Sequence, residues 1–134
     1  MSFDLFFGCF DAGQKATFPR LSLEQHFGPF VSRREPACIT VDFGPEGISY
    51  LYCEDKDRIE GFSINRPTDA PALYQAIFDL LRTEPLVLFM PGECPPLIGS
   101  AATATHIPAD MIRALGNPVV LGSPSEVLDW IHRA

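Results

Sequence analysis

Cys94 is the residue in this sequence best placed for covalent chemistry. It lies in MPGECPP, residues 90–96, directly after an apolar run. There a thiolate held on a rigid loop could act as a nucleophile. Such a nucleophile needs a base and a depressed pKa. The nearest histidine in sequence is His106, and nothing local orients it. Glu93 is expected to raise the thiol pKa, because a neighbouring negative charge disfavours thiolate. Pro95 and Pro96 stop a helix from starting directly after the thiol, which removes activation by a helix dipole. The competing reading is a strand exit stiffened by proline, whose missing N–H groups discourage edge pairing. The missing partners favour that second reading, and no catalytic residue is expected.

The remaining chemistry-bearing residues are scattered. Cys9, Cys38, Cys53 and Cys94 are spaced by 29, 15 and 41 residues, without the close pairs a zinc site needs. Most of these four are expected to be small core residues, as free cysteines usually are. His26, His106 and His132 are isolated and fit helix ends or surface positions. The chain contains no G-x-G-x-x-G, P-loop lysine, H-E-x-x-H or G-x-S-x-G pattern. No cofactor and no metal are expected.

Charge is the stronger signal. The net charge is −7, from 17 acids against 10 bases, which disfavours direct nucleic-acid binding and favours encounter with a basic partner. Over half of that charge lies in residues 42–60, where Asp42, Glu46, Glu54, Asp55, Asp57 and Glu60 outnumber Lys56 and Arg58. Two readings fit: a solvated hairpin edge kept charged against aggregation, or a binding face. Tyr50 and Tyr52 share one face of the same segment. They are either cross-strand packing or rigid interface anchors flanked by acids. Whether the tyrosines or Leu51 and Cys53 turn inward is open at the level of sequence. The candidate partner-binding residues are therefore Asp42, Glu46, Tyr50, Tyr52, Glu54, Asp55, Asp57 and Glu60.

The elements that position these residues follow from periodicity. SFDLFFGCF (2–10) reads as a buried strand. LSLEQHFGPF (21–30) suits a short helix with Ser22 as N-cap, Gln25 completing a capping box, and Gly28-Pro29 as the stop. ACITVDF (37–43) alternates, with Ala37, Ile39, Val41 and Phe43 on one face. Gly44 to Gly47 turns the chain into ISYLYCE (48–54), followed by IEGFSIN (59–65). The short polar connections predict an antiparallel meander. Thr68 to Pro71 opens a helix carrying Leu73, Ile77, Leu80 and Leu81 at helical spacing. LVLFM (86–90) is continuous enough to be a strand covered on both faces. Pro108 starts a helix to Leu115, with Met111, Ile112 and Leu115 inward, and PVVLG (118–122) is a strand. Ser123-Pro124-Ser125-Glu126 caps a last helix bearing Val127, Leu128, Trp130 and Ile131. The expected fold is α+β, one domain over residues 1–134. Its mixed sheet joins an antiparallel N-terminal meander to central apolar strands, with helices mainly on one face. No run approaches the length of a membrane helix and no basic leader precedes the apolar start, so a cytoplasmic location is expected.

The segments GFSINRP (61–67), ALYQAIFDLLRTEPLVLFMPG (72–92) and IPADMIRALGNPVVLGSPSEVLDWI (107–131) resemble the small acidic immunity proteins of bacterial polymorphic toxin systems. The resemblance lies in size, acidity, layout and the strand–S-P-S-E–helix unit. It implies a non-catalytic protein that binds and neutralises a cognate toxin domain with a basic surface, by occlusion and charge complementarity. The alternatives are a small cytoplasmic enzyme using Cys94, and an adaptor that self-associates through a strand edge.

Overall fold

The computed structural model describes residues 4–133. Eleven strands form, in chain order: β1 (Leu5–Asp11), β2 (Gln14–Lys15), β3 (Phe18–Pro19), β4 (Val31–Glu35), β5 (Cys38–Asp42), β6 (Ile48–Tyr52), β7 (Arg58–Ile59), β8 (Gly61–Asn65), β9 (Leu86–Phe89), β10 (Leu97–Ile98) and β11 (Val119–Val120). Four α-helices accompany them: α1 (Leu21–Phe27), α2 (Pro71–Thr83), α3 (Ala109–Leu115) and α4 (Pro124–Arg133). Residues 2 and 3 of the expected first strand lie outside the described residues.

The main sheet runs β11-β10-β9-β1-β8-β6-β5-β4, with β2 paired to β1 as a hairpin. All its pairs are antiparallel except β10 with β11, so the sheet is mixed. The expected meander is present as β5, β6 and β8. The stretch 59–65 is split, however. Arg58–Ile59 turns aside to pair with Phe18–Pro19 in a separate two-stranded sheet, and only Gly61–Asn65 joins the main one. This small sheet buries Phe18 and Ile59, both 1% exposed, beneath the N-terminal half of the chain.

Alternation along the strands sorts the core into two layers. Leu5, Phe7, Cys9, Ile39, Val41, Leu51, Phe62, Ile64, Leu86 and Leu88 share one cluster with Leu23 and Phe27 of α1, Leu73, Ile77, Leu80 and Leu81 of α2, and Val127 and Ile131 of α4. Three helices therefore cover one face. Val87, Phe10 and Ile98 point the other way, into a second cluster with Ile107, Met111 and Ile112 around α3. The continuous run LVLF is explained by this double coverage. The helices thus lie mainly on one face, with α3 alone on the other.

Local signals and tertiary demands disagree at three places. Ser22 does not cap α1. The helix starts at Leu21 after Arg20, and Ser22 is buried in its first turn, where its hydroxyl donates to Glu84 Oε1 at 2.8 Å. A long-range contact to the end of α2 has displaced the local cap. Leu115 is 42% exposed rather than inward, because α3 ends there at Gly116 and only Met111 and Ile112 reach the sheet. Glu126 does reach back across the start of α4, but to the Gly122 N–H at 2.8 Å, one residue before the expected cap.

Candidate partner-binding face

The register of the meander decides which way the tyrosines point. Ile39 and Val41 of β5 are buried and lie opposite Leu51 and Ser49 of β6. Leu51 in turn lies opposite buried Ile64 of β8. Because successive side chains alternate across a strand, Ile48, Tyr50 and Tyr52 project to the face opposite α1, α2 and α4. Ser49 could not have been buried without a partner, and its hydroxyl donates to the Arg66 carbonyl at 2.8 Å. Cys53 is half-buried against the helix-side core.

The same face gains a residue that sequence reasoning assigned to the interior. Phe6 lies on β1 opposite Ser63 of β8, and Ser63 lies opposite Tyr52. Phe6 is 49% exposed and Tyr52 45% exposed. The expectation of a uniformly buried first strand is therefore corrected. Only alternate residues of β1 enter the helix-side core, and α3 reaches the other face at Phe10 but not at Phe6. Alternation within DLFFGCF was the available signal, masked because nearly every position is apolar.

The outer face is thus a set of cross-strand rows. One runs Phe89, Phe6, Ser63, Tyr52, Cys38, Glu35. The next passes through Asp4, whose Oδ1 accepts from Asn65 Nδ2 at 2.7 Å, then Tyr50, Thr40 and Arg33. Ile48 and Asp42 sit opposite one another beyond these. Arg33 is tied to Glu35 at 2.7 Å.

The six acids of residues 42–60 do not form one patch. Asp42 and Glu46 lie at the turn between β5 and β6, where Asp42 Oδ1 accepts from the Gly44 N–H at 2.8 Å. Glu54, Asp55, Asp57 and Glu60 lie past the other end of β6. A five-residue strand separates the groups by roughly 17 Å. Asp55 pairs with Arg20 at 3.1 Å and Glu54 with Lys56 at 2.8 Å, so part of the second group is internally compensated. The tyrosines lie between the two groups. Beside the second group, a cleft of about 690 Å³ is lined by Arg20, Leu21, Glu24, Arg34, Asp55 and Lys56. Arg34 grips Glu24 with two nitrogens at 2.9–3.2 Å.

Cys94 has a different environment. It is 8% exposed, and its Sγ donates to the Pro95 carbonyl at 3.3 Å. Burial pushes the thiol pKa up. The expected direction holds, but its cause is desolvation rather than the charge of Glu93. The loop carrying Cys94 follows the end of β9 that pairs with Phe6. His106 is held at the other end of β1, where its Nδ1 accepts from the Ala12 N–H at 3.0 Å and lies 3.3 Å from Asp11 Oδ1. The length of β1 separates the two groups. Cys9 is more deeply buried still, and its thiol is pushed up to about 11, first by burial and then by Glu84. Among the described residues, no group of three or more His, Cys, Asp or Glu side chains could hold a metal ion, and no helix is long and apolar enough to cross a membrane.

Comparison with protein-family models, with curated proteins and with solved structures returned no match.

Proposed function

We propose that this chain is a binding protein whose open sheet face covers a basic surface on a protein partner. The observation that carries the reading is the composition of that face. Phe6, Ile48, Tyr50 and Tyr52 stand exposed or half-exposed on neighbouring strands, between two groups of acids. Rigid aromatics on a sheet lose little entropy on docking, which makes them suitable anchors. Acids at both ends steer a positively charged partner on approach without themselves needing burial. The sheet edges are less suited to docking. At β4 the edge carries Arg33, Arg34 and Glu35 and a register shift, and at β11 it is two residues long.

The resemblance to immunity proteins of polymorphic toxin systems gives the partner a class: a toxin domain, neutralised by occlusion. The test is co-expression with the product of the adjacent gene. Wild-type chain is expected to form a complex on size exclusion and to relieve toxicity, and Tyr52→Asp to lose both while keeping its thermal midpoint. A complex that survives Tyr52→Asp and Phe6→Asp unchanged would falsify the assignment of the face.

A further inference from the structure

We infer that Phe6, Ser63 and Tyr52 form a seat for a single arginine side chain of the protein partner, with Asp4 as its counter-charge. The inference deepens the reading of the open face given above and rests on it. Ser63 is the Cα partner of Phe6 on one side and of Tyr52 on the other, so the two aromatics flank one small polar residue. They stand two strand spacings apart, roughly 9–10 Å. Two van der Waals contacts of roughly 3.5–4 Å require about 7–8 Å between ring planes. Rings based at this separation can therefore close on one planar group laid over Ser63. Both rings are nearly half exposed, at 49% and 45%.

The chemistry of the slot favours a cation. Aromatic faces attract guanidinium, whose planarity also suits stacking. Asp4 immediately precedes β1, two residues before Phe6 and about 7 Å from it along an extended chain. The Asn65 amide fixes its carboxylate there, at 2.7 Å. Among the described residues on the strands of this open part of the face, Asp4, Glu35 and Asp42 stand against Arg33, and Arg33 is already held by Glu35 at 2.7 Å. The covered part of the same face is unlike this. There the sheet presents Val87, Ile98 and Phe10 to Ile107, Met111 and Ile112, a wholly apolar floor under an apolar cover. A serine floor between two aromatics, beside a carboxylate, suits a charged planar head better than an aliphatic one.

The test uses the full chain with ¹³C-labelled aromatic rings. N-acetyl-arginine amide is titrated to about 100 mM, enough to saturate a contact with a Kd of about 10 mM, at constant ionic strength. N-acetyl-lysine amide and N-acetyl-norleucine amide serve as the non-planar and uncharged controls. Saturable shifts of the Phe6 and Tyr52 rings are expected with arginine, smaller ones with lysine and none with norleucine. Ser63→Leu, which fills the floor, is expected to abolish them while signals elsewhere stay unchanged. Absence of saturation, an equal response to norleucine, or arginine shifts that survive Ser63→Leu would each overturn the seat. The docking role of the face is judged separately, by complex formation with the partner itself.

Discussion

The outer face of the sheet is built in two halves that solve the same problem differently. Around β9 and β10 it is wholly apolar, and the chain supplies its own cover: Val87, Ile98 and Phe10 pack under Ile107, Met111 and Ile112. Around β1, β8, β6 and β5 it is aromatic and polar, and the described residues provide no helix over it. Instead Phe6, Tyr50 and Tyr52 alternate with Ser63, Asn65 and Thr40. An exposed aliphatic floor would drive nonspecific aggregation, whereas a mixed face with charged ends stays soluble and still offers anchors. The covered half therefore stabilises the fold, and the open half is the part to which the proposed docking role is assigned.

That contrast can be broken by mutation, most forcefully in the covered half. Ile98 is fully buried on β10 in the cluster under α3, and Ile98→Ala is expected to cost about 2–5 kcal/mol through the cavity it leaves. Chemical denaturation reads this directly, and a wild-type midpoint would remove β10 from the core. In the open half Tyr52→Ala is expected to leave the denaturation midpoint nearly unchanged. It should weaken partner binding by roughly 2 kcal/mol, mainly through a faster off-rate. Equal stability losses at Ile98 and Tyr52 would erase the distinction between the halves.

Alkaline titration sharpens the same point from the helix-side core. The Cys9 thiol is raised from 9.0 to about 11. A raised folded-state pKa leaves stability intact below pH 9 and withdraws it as pH climbs through about 11. The loss should be on the order of 2 kcal/mol. Cys9→Ala should flatten this slope, measured as denaturation midpoint against pH. The smallest effect is expected from Asp55 and Asp57. Neutralising both should slow association and weaken its salt dependence, since screening acts over roughly 8–10 Å. Stability should move by only about 0.5 kcal/mol, because the Arg20–Asp55 pair is largely exposed on the acid's side. Identical on-rates at low and high salt would leave these acids as a solvated edge.

Elements with a strong period were legible in the sequence, and elements set by distant partners were not. The alternation of ACITVDF, the helical repeat of Leu73, Ile77, Leu80 and Leu81, and the run LVLF each carried their own assignment, and the α+β class followed. Strand β4 was missed because Ser32 to Glu35 are all polar and exposed, so an edge strand left no hydrophobic trace. The pairs at β3 and β7 are too short to have a period at all. The Ser22 capping box failed because Glu84, more than sixty residues away, claimed the hydroxyl. At the candidate face, ISYLYC is apolar on both faces, so composition could not orient Tyr50 and Tyr52. The buried residues opposite Leu51 did. Phe6 was hidden for the same reason, and the continuous acidity of residues 42–60 concealed that a strand divides it into two groups.

The position of β1 carries a consequence for how the protein is made. This first strand lies between β8 and β9, so residues 5–11 need partners from residues 61–65 and 86–89. At about 5–20 residues per second, the ribosome takes roughly 4–15 s to synthesise the stretch from the end of β1 to the start of β9. Throughout that interval LFFGCF has no strand on that side and exposes an unpaired, aromatic edge to other nascent chains. Pairings this distant also slow folding itself, through the loop entropy they must overcome. The β9 side of β1 can therefore be closed only once Leu86–Phe89 have been made and have left the exit tunnel.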